Sequence, residues 1–243
     1  MLFERRAYTL RPGCEQTFWQ LQRQWNTPKT FRPMLERNLG YFAVAAGPAE
    51  CVIHLYRWDD YDDGKRRLAA MATPERAEYY ATARALLLAQ ESILLDRAPI
   101  AELSPLWNGD RDWLPGKPAF DGVGDPTQLV ITESAQDFLP GALAAYWDEH
   151  GKLDPGTMDI VRTGLIAVLV VTTGPLHRVI HYRWHRGLSE AEDRRSKLED
   201  STSWKAFANN YRPRVVGTRV SYLRPSPVPW MRSLFEPIDW SGG

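Results

Sequence analysis

Cysteine is scarce in this chain, and neither sign of charge is in excess. Cys14 and Cys51 are its two cysteines, and no Cys-x-x-Cys pair or other metal-ligand spacing accompanies them, so neither a disulfide framework nor a cysteine-based metal site is expected. Each is predicted to be a small buried apolar side chain. Lys plus Arg equals Asp plus Glu, at 30 each, which leaves no global field to attract phosphate backbones or anionic membranes. Nucleic acid and membranes are therefore not predicted as partners.

Long apolar runs are lacking too. No stretch approaches the ~18 residues that a membrane-spanning helix needs. The first residues, MLFERRAY, lack the apolar core of a signal peptide. Together these absences predict a cytoplasmic protein.

Several signatures of catalysis and metal binding are also missing. The sequence has no Gly-rich phosphate loop, no Gly-x-Ser-x-Gly and no His-Glu-x-x-His, so nucleotide-dependent chemistry is disfavoured. The acidic run 59–63 lacks the Gly and the distal Glu of an EF-hand; it is predicted to be a solvated turn, and no metal site is predicted. Ten Trp and ten Tyr are present, and because aromatic side chains supply large contact areas in pockets, some are predicted to line a cavity.

The sequence contains an internal duplication. Residues recur at a constant displacement of 128 positions. The recurring elements are Arg66-Arg67 with Arg194-Arg195, Pro12-Gly13 with Pro140-Gly141, Trp19 with Trp147, Arg84 with Arg212, Leu95 with Leu223, and Pro99 with Pro227. Segments 40–58 and 164–184 both contain a Gly-Pro turn, Val-Ile-His and a closing Tyr-Arg-Trp. A period this long indicates two domain-sized copies rather than a stacking repeat.

Each copy shows the pattern of a split βαβ unit. In the first, an alternating strand from Phe3 to Leu10 precedes a helical stripe from Glu15, an irregular connection over 26–38 and a hairpin around Gly47-Pro48. A helix from Ala77 to Leu88 and a strand from Gln90 follow. The order β-α-β-β-α-β predicts a ferredoxin-like fold.

Such a sheet has helices on one face and needs cover on the other. The prediction is an α+β protein of two tandem ferredoxin-like repeats, packed sheet to sheet as an intramolecular α+β barrel. The predicted segments are repeat 1 at 1–105, a linker at 106–126, repeat 2 at 127–224 and a Pro-rich C-terminal arm at 225–243.

Motifs spread over most of the first copy resemble the NIPSNAP family, within the superfamily of dimeric α+β barrels. They are Arg6-x-Tyr8-x-Leu10-x-Pro12-Gly13, Gly47-Pro48 with Val52-Ile53-His54-Leu55-Tyr56, Arg66-Arg67, and Gln90-Glu91-Ser92-Ile93-Leu94-Leu95. The second copy matches more weakly. Glu50 and His177 stand where the family usually has Asn after the Gly-Pro turn. The resemblance implies a barrel fold and a small-molecule ligand or substrate.

Candidate site residues lie on the first and third strands of copy one. Alternation puts His54, Tyr56 and Trp58 on one face, and these are predicted to face the barrel interior while Ile53 and Leu55 face the helices. His54 is the candidate acid/base group, with Tyr56 catalytic beside it and Trp58 binding ligand. The alternative is a structural histidine bonded to a neighbouring strand.

Arg6 and Tyr8 share a face of the first strand and complete the predicted catalytic set. A guanidinium directed into a barrel either pairs with an internal carboxylate or holds an anionic group of a ligand. Both alternatives stay open on the sequence.

The second copy contributes candidate ligand-binding residues at His181, Arg183 and Trp184. Tyr-Arg-Trp follows the histidine one residue sooner than in copy one. Either His181, Arg183 and His185 face inward, or Tyr182 and Trp184 do.

Three functions compete on these observations. The first is a small-molecule enzyme of the dimeric α+β barrel type, either monooxygenase-like or a cofactor-independent acid/base enzyme of lyase or isomerase character, acting on an apolar or aromatic metabolite. The second is heme binding through His54 or His181; no other cofactor is predicted. The third is a non-catalytic binding or scaffold protein. The chain is expected to be a monomer or a homodimer.

Overall fold

The computed structural model describes residues 1–241 and has a mixed α+β structure. Its strands are β1 Leu2–Leu10, β2 Asn38–Ala46, β3 Cys51–Trp58, β4 Leu87–Arg97, β5 Val130–Phe138, β6 Leu165–Thr173, β7 Arg178–His185 and β8 Val215–Pro225. Its α-helices are α1 Glu15–Trp25, α2 Arg32–Leu35, α3 Tyr61–Ala70, α4 Ala77–Ala85, α5 Leu143–His150, α6 Pro155–Arg162, α7 Leu188–Asp200 and α8 Thr202–Tyr211. The strands follow one another in a closed barrel, in the order β1-β3-β2-β8-β5-β7-β6-β4. The predicted α+β class and barrel are confirmed.

The chain divides into two compact units. Unit 1 comprises residues 1–95, 113–127 and those from Leu223 onward, and unit 2 comprises Asp96–Asp112 and Gln128–Tyr222. The segment predicted as a linker is thus shared between the two units, and the C-terminal arm is part of unit 1. The last two residues of the predicted arm, Gly242 and Gly243, lie outside the described residues.

Each unit contains the predicted antiparallel sheet. In unit 1, β1 pairs with both β3 and β4, and β2 pairs with β3. In unit 2, β5 pairs with β7 and β7 with β6. The register repeats closely: Arg6 is opposite His54 in unit 1, and Ser134 is opposite His181 in unit 2.

The two hairpin turns keep a backbone geometry that suits Asn, although Glu50 and His177 stand there instead. Glu50 has φ of 50° and His177 has φ of 62°, so both occupy the left-handed region that Asn and Gly tolerate best. Both residues also make an equivalent backbone hydrogen bond. The carbonyl of Glu50 accepts from the N–H of Leu10, and the carbonyl of His177 accepts from the N–H of Phe138. The turn geometry is retained although the residue that suits it best is absent.

The acidic run 59–63 was predicted to be a solvated turn; residues 59–62 are exposed, but the run forms the start of α3 and its last residue is buried. Asp60 caps α3, its carboxylate accepting from the backbone N–H of Asp63 at 2.7 Å. Asp63 is buried and pairs with Arg37 at 3.0 Å and Arg67 at 2.8 Å. Its pKa falls to about 2, because these hydrogen bonds and charges outweigh the effect of burial. The helix was missed since its acidic first turn resembled a loop.

Other differences from prediction concern helix limits. The connection over 26–38 contains the short helix α2, which tolerates Pro33 because proline fits the first turn of a helix. Helix α4 ends at Ala85 and β4 begins two residues later. Helices α6 and α7 were not predicted, and on α7 Arg195 pairs with Glu192 of the same helix at 2.6 Å.

The C-terminal arm packs against unit 1. Val228, Met231 and Leu234 are fully buried, and the indole of Trp230 donates to the carbonyl of Asn26 at 2.6 Å. Apolar burial of this kind makes the arm part of the unit 1 core. Within residues 1–241, no helix combines the length and apolar character needed to cross a membrane.

Candidate functional site

A cavity of about 240 Å³ lies in unit 1, between strands β1, β2 and β3 and helices α1 to α4. Its walls are mainly aromatic and methionine side chains, namely Phe18, Phe31, Met34, Met71, Tyr79 and Tyr80. Exposed side chains also line it, among them Leu68, Arg84 and Gln90. The cavity therefore opens to solvent at one end.

The sheet presents the predicted residues to this cavity, but from the opposite face to the one expected. His54 and Tyr56 line the cavity together with helical residues, so this face of β3 is covered by the helices. Ile53 and Leu55 alternate with them and lie on the other face. The prediction reversed the two faces because it assigned the aliphatic residues to the helices, whereas the helix side holds a polar and aromatic cavity.

His54 is a neutral, tightly packed imidazole. It is 5% exposed and stacks on Tyr41, with 3.3 Å between ring centroids and 7° between ring planes. The ring of Tyr8 lies 4.5 Å away. Burial, with the charge of Arg6, lowers the pKa of His54 well below its usual value. Its Nε2 atom is buried without a hydrogen-bond partner. An unpaired buried polar atom lowers the stability of the folded state by about 1 to 3 kcal/mol.

Arg6 pairs with a carboxylate on its own strand, which was one of its two predicted alternatives. Its Nε and Nη2 atoms each donate to Glu4 at 2.8 Å. Glu4 also accepts from Ser92 at 2.5 Å and from the indole of Trp58 at 2.9 Å. Burial would raise the pKa of Glu4, but the hydrogen bonds and charge of Arg6 hold it below its usual value. The guanidinium is thus a fixed cation at the cavity wall.

Tyr8 and Tyr56 lie beside this cation, and Tyr41 contacts Tyr56. Tyr8 and Tyr56 line the cavity, Arg6 lies over the Tyr56 ring at 5.0 Å, and the hydroxyls of Tyr41 and Tyr56 are 2.5 Å apart. Burial raises the pKa of each of the three phenols. All three are therefore protonated at neutral pH and able to donate hydrogen bonds.

Trp58 supports the cavity rather than lining it. It is buried, stacks on Tyr56 at 4.9 Å and holds Glu4 through its indole N–H. It is not one of the lining residues. Its contacts position the Arg6–Glu4 pair.

A polar network that the sequence did not reveal holds two of the lining residues, Gln22 and Tyr79, from behind. Asn26 Nδ2 donates to the Gln22 side chain at 2.5 Å and lies 2.9 Å from the Tyr79 hydroxyl. Arg76 donates to the Asn26 amide oxygen and lies over the Tyr79 ring at 4.8 Å. Tyr41 was also missed, although its register opposite His54 in the predicted hairpin was the signal that could have found it.

His181 and Arg183 of unit 2 occupy the positions that correspond to His54 and Tyr56. His181 Nε2 lies 3.0 Å from the hydroxyl of Tyr146 on α5, and Arg183 donates to the carbonyl of Val161 on α6. Both therefore face the helices of unit 2. The alternative in which His181, Arg183 and His185 face the barrel interior is therefore wrong, and the alternating Tyr182 and Trp184 take the face turned away from the helices.

Trp184 does not join them. It alternates with Arg183 and His185 along β7, so it lies on the opposite face of the strand. Tyr182 shares that opposite face and donates to Glu133 at 2.6 Å. A site that contains His181 and Arg183 therefore excludes Trp184.

The helix side of unit 2 is filled by aromatic rings. Ring centroids of Tyr146, Phe207 and Tyr211 lie between 4.6 and 5.6 Å apart. At the displacement of 128, Tyr211 corresponds to Ala83, which lines the unit 1 cavity. A small residue in unit 1 thus leaves open a space that a tyrosine occupies in unit 2.

Heme and metal ions were tested against these residues. Within residues 1–241, no group of three or more His, Cys, Asp and Glu could hold a metal ion. The cavity, at about 240 Å³, is smaller than the ~300 Å³ lower limit typical of drug-sized ligand pockets, and heme is a large macrocycle. His54 is stacked on Tyr41 and the Nε2 of His181 is engaged by Tyr146. The two candidate axial ligands therefore do not fit heme.

The fold defines the class as an α+β barrel protein, and unit 1 contains a cavity. Residues 3–102 match the NIPSNAP family model, which confirms the resemblance over that part of the chain. No curated protein matches the sequence.

Solved structures with similar folds extend over nearly the whole chain. One, described as a "putative monooxygenase" from Fusobacterium nucleatum, is 9% identical with a TM-score of 0.60, covering 93% of this chain and 92% of that one. A second so described, from Lactobacillus acidophilus, is 10% identical with a TM-score of 0.56 and 93% of each chain covered. An anthrone oxidase-like protein is 15% identical with a TM-score of 0.54, covering 92% and 90%. At these identities the likeness shows the fold alone.

Proposed function

We propose that this chain is a small-molecule enzyme whose acid/base group is His54, in the cavity of unit 1. Its substrate is a small aromatic or apolar metabolite with an acidic hydrogen, such as a phenol or an enolisable ketone. The observation that carries the proposal is the neutral imidazole of His54, with a buried and unpartnered Nε2, close to the fixed Arg6 cation.

This arrangement suits proton abstraction. A neutral imidazole can accept a proton. Burial and Arg6 make His54 a weak base in the empty cavity, and the negative charge that forms on the substrate beside it favours the protonated imidazole. The transfer would leave a negative charge on the substrate. Arg6 would stabilise that charge without reorganisation, because Glu4 already holds the guanidinium in place.

The cavity limits the size and shape of the substrate. At about 240 Å³, it lies just below the ~300 Å³ at which pockets for drug-sized ligands begin, so one or two fused rings is the expected size. Aromatic side chains such as Phe18 and Tyr79 offer stacking surfaces for a planar molecule. The protonated Tyr8 can orient a polar substituent by donating a hydrogen bond.

The names of structures with similar folds favour oxidation as the overall reaction. They describe two monooxygenase candidates and an anthrone oxidase-like protein. A deprotonated phenol or enolisable ketone is electron-rich and can react with dioxygen, so the base would prepare the substrate for oxidation. A lyase or isomerase would use the same proton abstraction without oxygen.

The test combines ligand discovery with a matched pair of variants. Native mass spectrometry of protein from its own host identifies a retained molecule, and a panel of phenols and enolisable ketones with one or two rings is assayed by absorbance and oxygen consumption. His54→Asn should abolish turnover while the chain stays folded by circular dichroism. His177→Asn, the same change in a hairpin of unit 2, should retain it. Undiminished turnover in His54→Asn would reject the assignment.

A non-catalytic binding protein is the second candidate. It is favoured by the tight packing of His54 against Tyr41, which limits movement of the base. This function predicts that a retained ligand is recovered unchanged and that His54→Asn still binds it.

A further inference from the structure

The hydroxyl of Tyr79 on α4 has no acceptor for its own hydrogen within residues 1–241. The side chain is 9% exposed and lines the cavity of unit 1. Its oxygen accepts hydrogen bonds from Asn26 Nδ2 at 2.9 Å and from Gln22 Nε2 at 3.3 Å. These two donors occupy both lone pairs of the oxygen. The hydrogen of this hydroxyl is therefore left for a group in the cavity.

The polarity of these hydrogen bonds is fixed by Arg76. A guanidinium can only donate, and that of Arg76 donates to the side-chain oxygen of Asn26. The Nδ2 group of Asn26 must then donate on its other side, to Gln22 Oε1 at 2.5 Å and to the Tyr79 hydroxyl. Because Gln22 Oε1 already accepts from Asn26, the Nε2 group of Gln22 is the one that meets Tyr79. Both amides therefore donate to Tyr79, and neither accepts from it.

The neighbouring Tyr80 shows the contrasting arrangement. It lines the same cavity, but its hydroxyl donates to the carbonyl of Met71 at 3.0 Å. The hydrogen of Tyr80 is thus used within the protein, whereas that of Tyr79 is not. Because the two residues are adjacent on one helix and both reach the cavity, Tyr80 provides a matched control for Tyr79.

The described part of the cavity wall offers no carboxylate as an acceptor for the Tyr79 hydrogen. No Asp or Glu lines the cavity, and the side-chain oxygen of Gln22 is engaged by Asn26. Tyr79 stands on a helix, whereas Arg6 and His54 stand on strands β1 and β3. The cavity lies between these elements, so a molecule whose acidic group meets His54 turns its other substituents toward the helices.

We propose that Tyr79 determines specificity by donating its hydroxyl hydrogen to a carbonyl oxygen of the substrate. The substrate is then a small aromatic compound with two polar groups, the acidic one at His54 and a carbonyl toward Tyr79; a hydroxyaryl ketone has this composition. A carbonyl oxygen accepts and does not donate, so it matches a hydroxyl whose lone pairs are both taken. An analogue without the carbonyl leaves a buried O–H unpaired, which weakens binding. The inference rests on the proposed function for the acidic group at His54.

The experiment is calorimetric titration of the full chain with two pairs of probes. Each pair is a hydroxyacetophenone and the isopropylphenol of the same substitution, meta or para, in which a methyl group replaces the carbonyl oxygen. The measured quantity is the ratio of ketone affinity to alkylphenol affinity within a pair. In Tyr79→Phe this ratio should fall roughly three- to tenfold for the isomer that fits, which is the loss expected for one hydrogen bond.

Tyr80→Phe is the matched control. It removes a hydroxyl that lines the same cavity but donates within the protein, so the ratio should stay at its wild-type value whatever happens to the individual affinities. Circular dichroism checks that both variants are folded. An unchanged ratio in Tyr79→Phe for both pairs, an equal fall in the two variants, or a wild-type chain that binds none of the four probes would overturn the proposal.

A second measurement needs no variant. A crystal structure of the wild-type chain with the tighter-binding hydroxyacetophenone should place the carbonyl oxygen about 2.7 Å from the Tyr79 hydroxyl. A carbonyl oxygen bonded elsewhere would also overturn the proposal. Both measurements report binding rather than turnover, so their failure rejects the assignment of Tyr79 alone, whereas undiminished turnover in His54→Asn rejects the proposed function.

Discussion

The imidazole of His54 lies flat on the phenol ring of Tyr41, with 3.3 Å between centroids and 7° between planes. The two residues are direct neighbours across β2 and β3, and the Tyr41 hydroxyl is in turn 2.5 Å from that of Tyr56. The stack fixes the plane of the imidazole and covers one of its faces. Its Nε2 atom nevertheless has no hydrogen-bond partner. Replacing the imidazole therefore removes no hydrogen bond of this atom that would stabilise the fold.

His54→Leu should therefore preserve stability while removing function. The substitution removes a buried polar atom that has no partner, and such an atom costs about 1 to 3 kcal/mol. The free energy of unfolding, from urea denaturation, should be unchanged or higher, whereas turnover in the unit 1 cavity should be lost. Tyr79→Phe is the contrasting variant, because it removes a hydroxyl that contacts Gln22 and Asn26, and it should destabilise by about 1 kcal/mol. A large loss of stability in His54→Leu would mean that the imidazole is structural.

Ala83→Tyr should close the cavity by installing the residue found at the corresponding position of unit 2. Tyr211 packs against Phe207 and Tyr146 there, while Ala83 lines open space in unit 1. Ligand affinity measured by calorimetry should fall at least tenfold, which is about 1.4 kcal/mol. Ala81→Tyr, on an exposed position of the same helix, should leave affinity unchanged. Equal affinity in both variants would show that ligands bind elsewhere.

Much of this architecture is visible in the sequence, because the duplication at 128 positions and the alternation along β3 are local patterns. The same alternation led to the wrong prediction of which face of β3 lies against the helices. The hydrophobicity of Ile53 and Leu55 predicts that these strand residues pack against the helices. Hydrophobicity alone does not reveal that the helices enclose a polar cavity. The partners of Arg6 were equally undetermined, since Glu4 is adjacent in sequence whereas Ser92 and Trp58 reach the pair only through the sheet.

Long-range polar partners explain the remaining misses. Asp63 resembled part of a solvated acidic turn, and its burial depends on Arg37, which lies 26 residues away. The hydrogen bond between Arg76 and Asn26 joins residues 50 positions apart. No local periodicity connects such residues, so their association becomes apparent only in the folded chain.

Glu4→Gln should strongly destabilise unit 1. The change leaves the buried guanidinium of Arg6 without its carboxylate, and breaking a buried ion pair from one side costs about 3 to 5 kcal/mol. Glu4→Gln combined with Arg6→Met should recover a large part of this loss, since no unpaired charge remains. The exposed pair of Arg195 and Glu192 is the control, and Glu192→Gln should change stability by at most about 1 kcal/mol. Similar effects at the two sites would contradict the role assigned to the pair.

Acid should destabilise the protein well before its carboxylates titrate. The pKa values of His54 and His181 are well below the usual 6.5, and those of His150 and His185 are about 3, in each case mainly because of burial. Below pH 6.5 the unfolded chain takes up these protons and the folded chain does not, so stability is full above pH 6.5 and falls as pH decreases. Each proton contributes about 1.4 kcal/mol per pH unit. Urea midpoints between pH 8 and 4.5, in buffers free of carboxylates, should be flat above pH 7 and decline below 6.5, and His150→Leu should reduce the slope by one proton. A profile that stays flat to pH 4.5 would show that these imidazoles gain protons in the folded state.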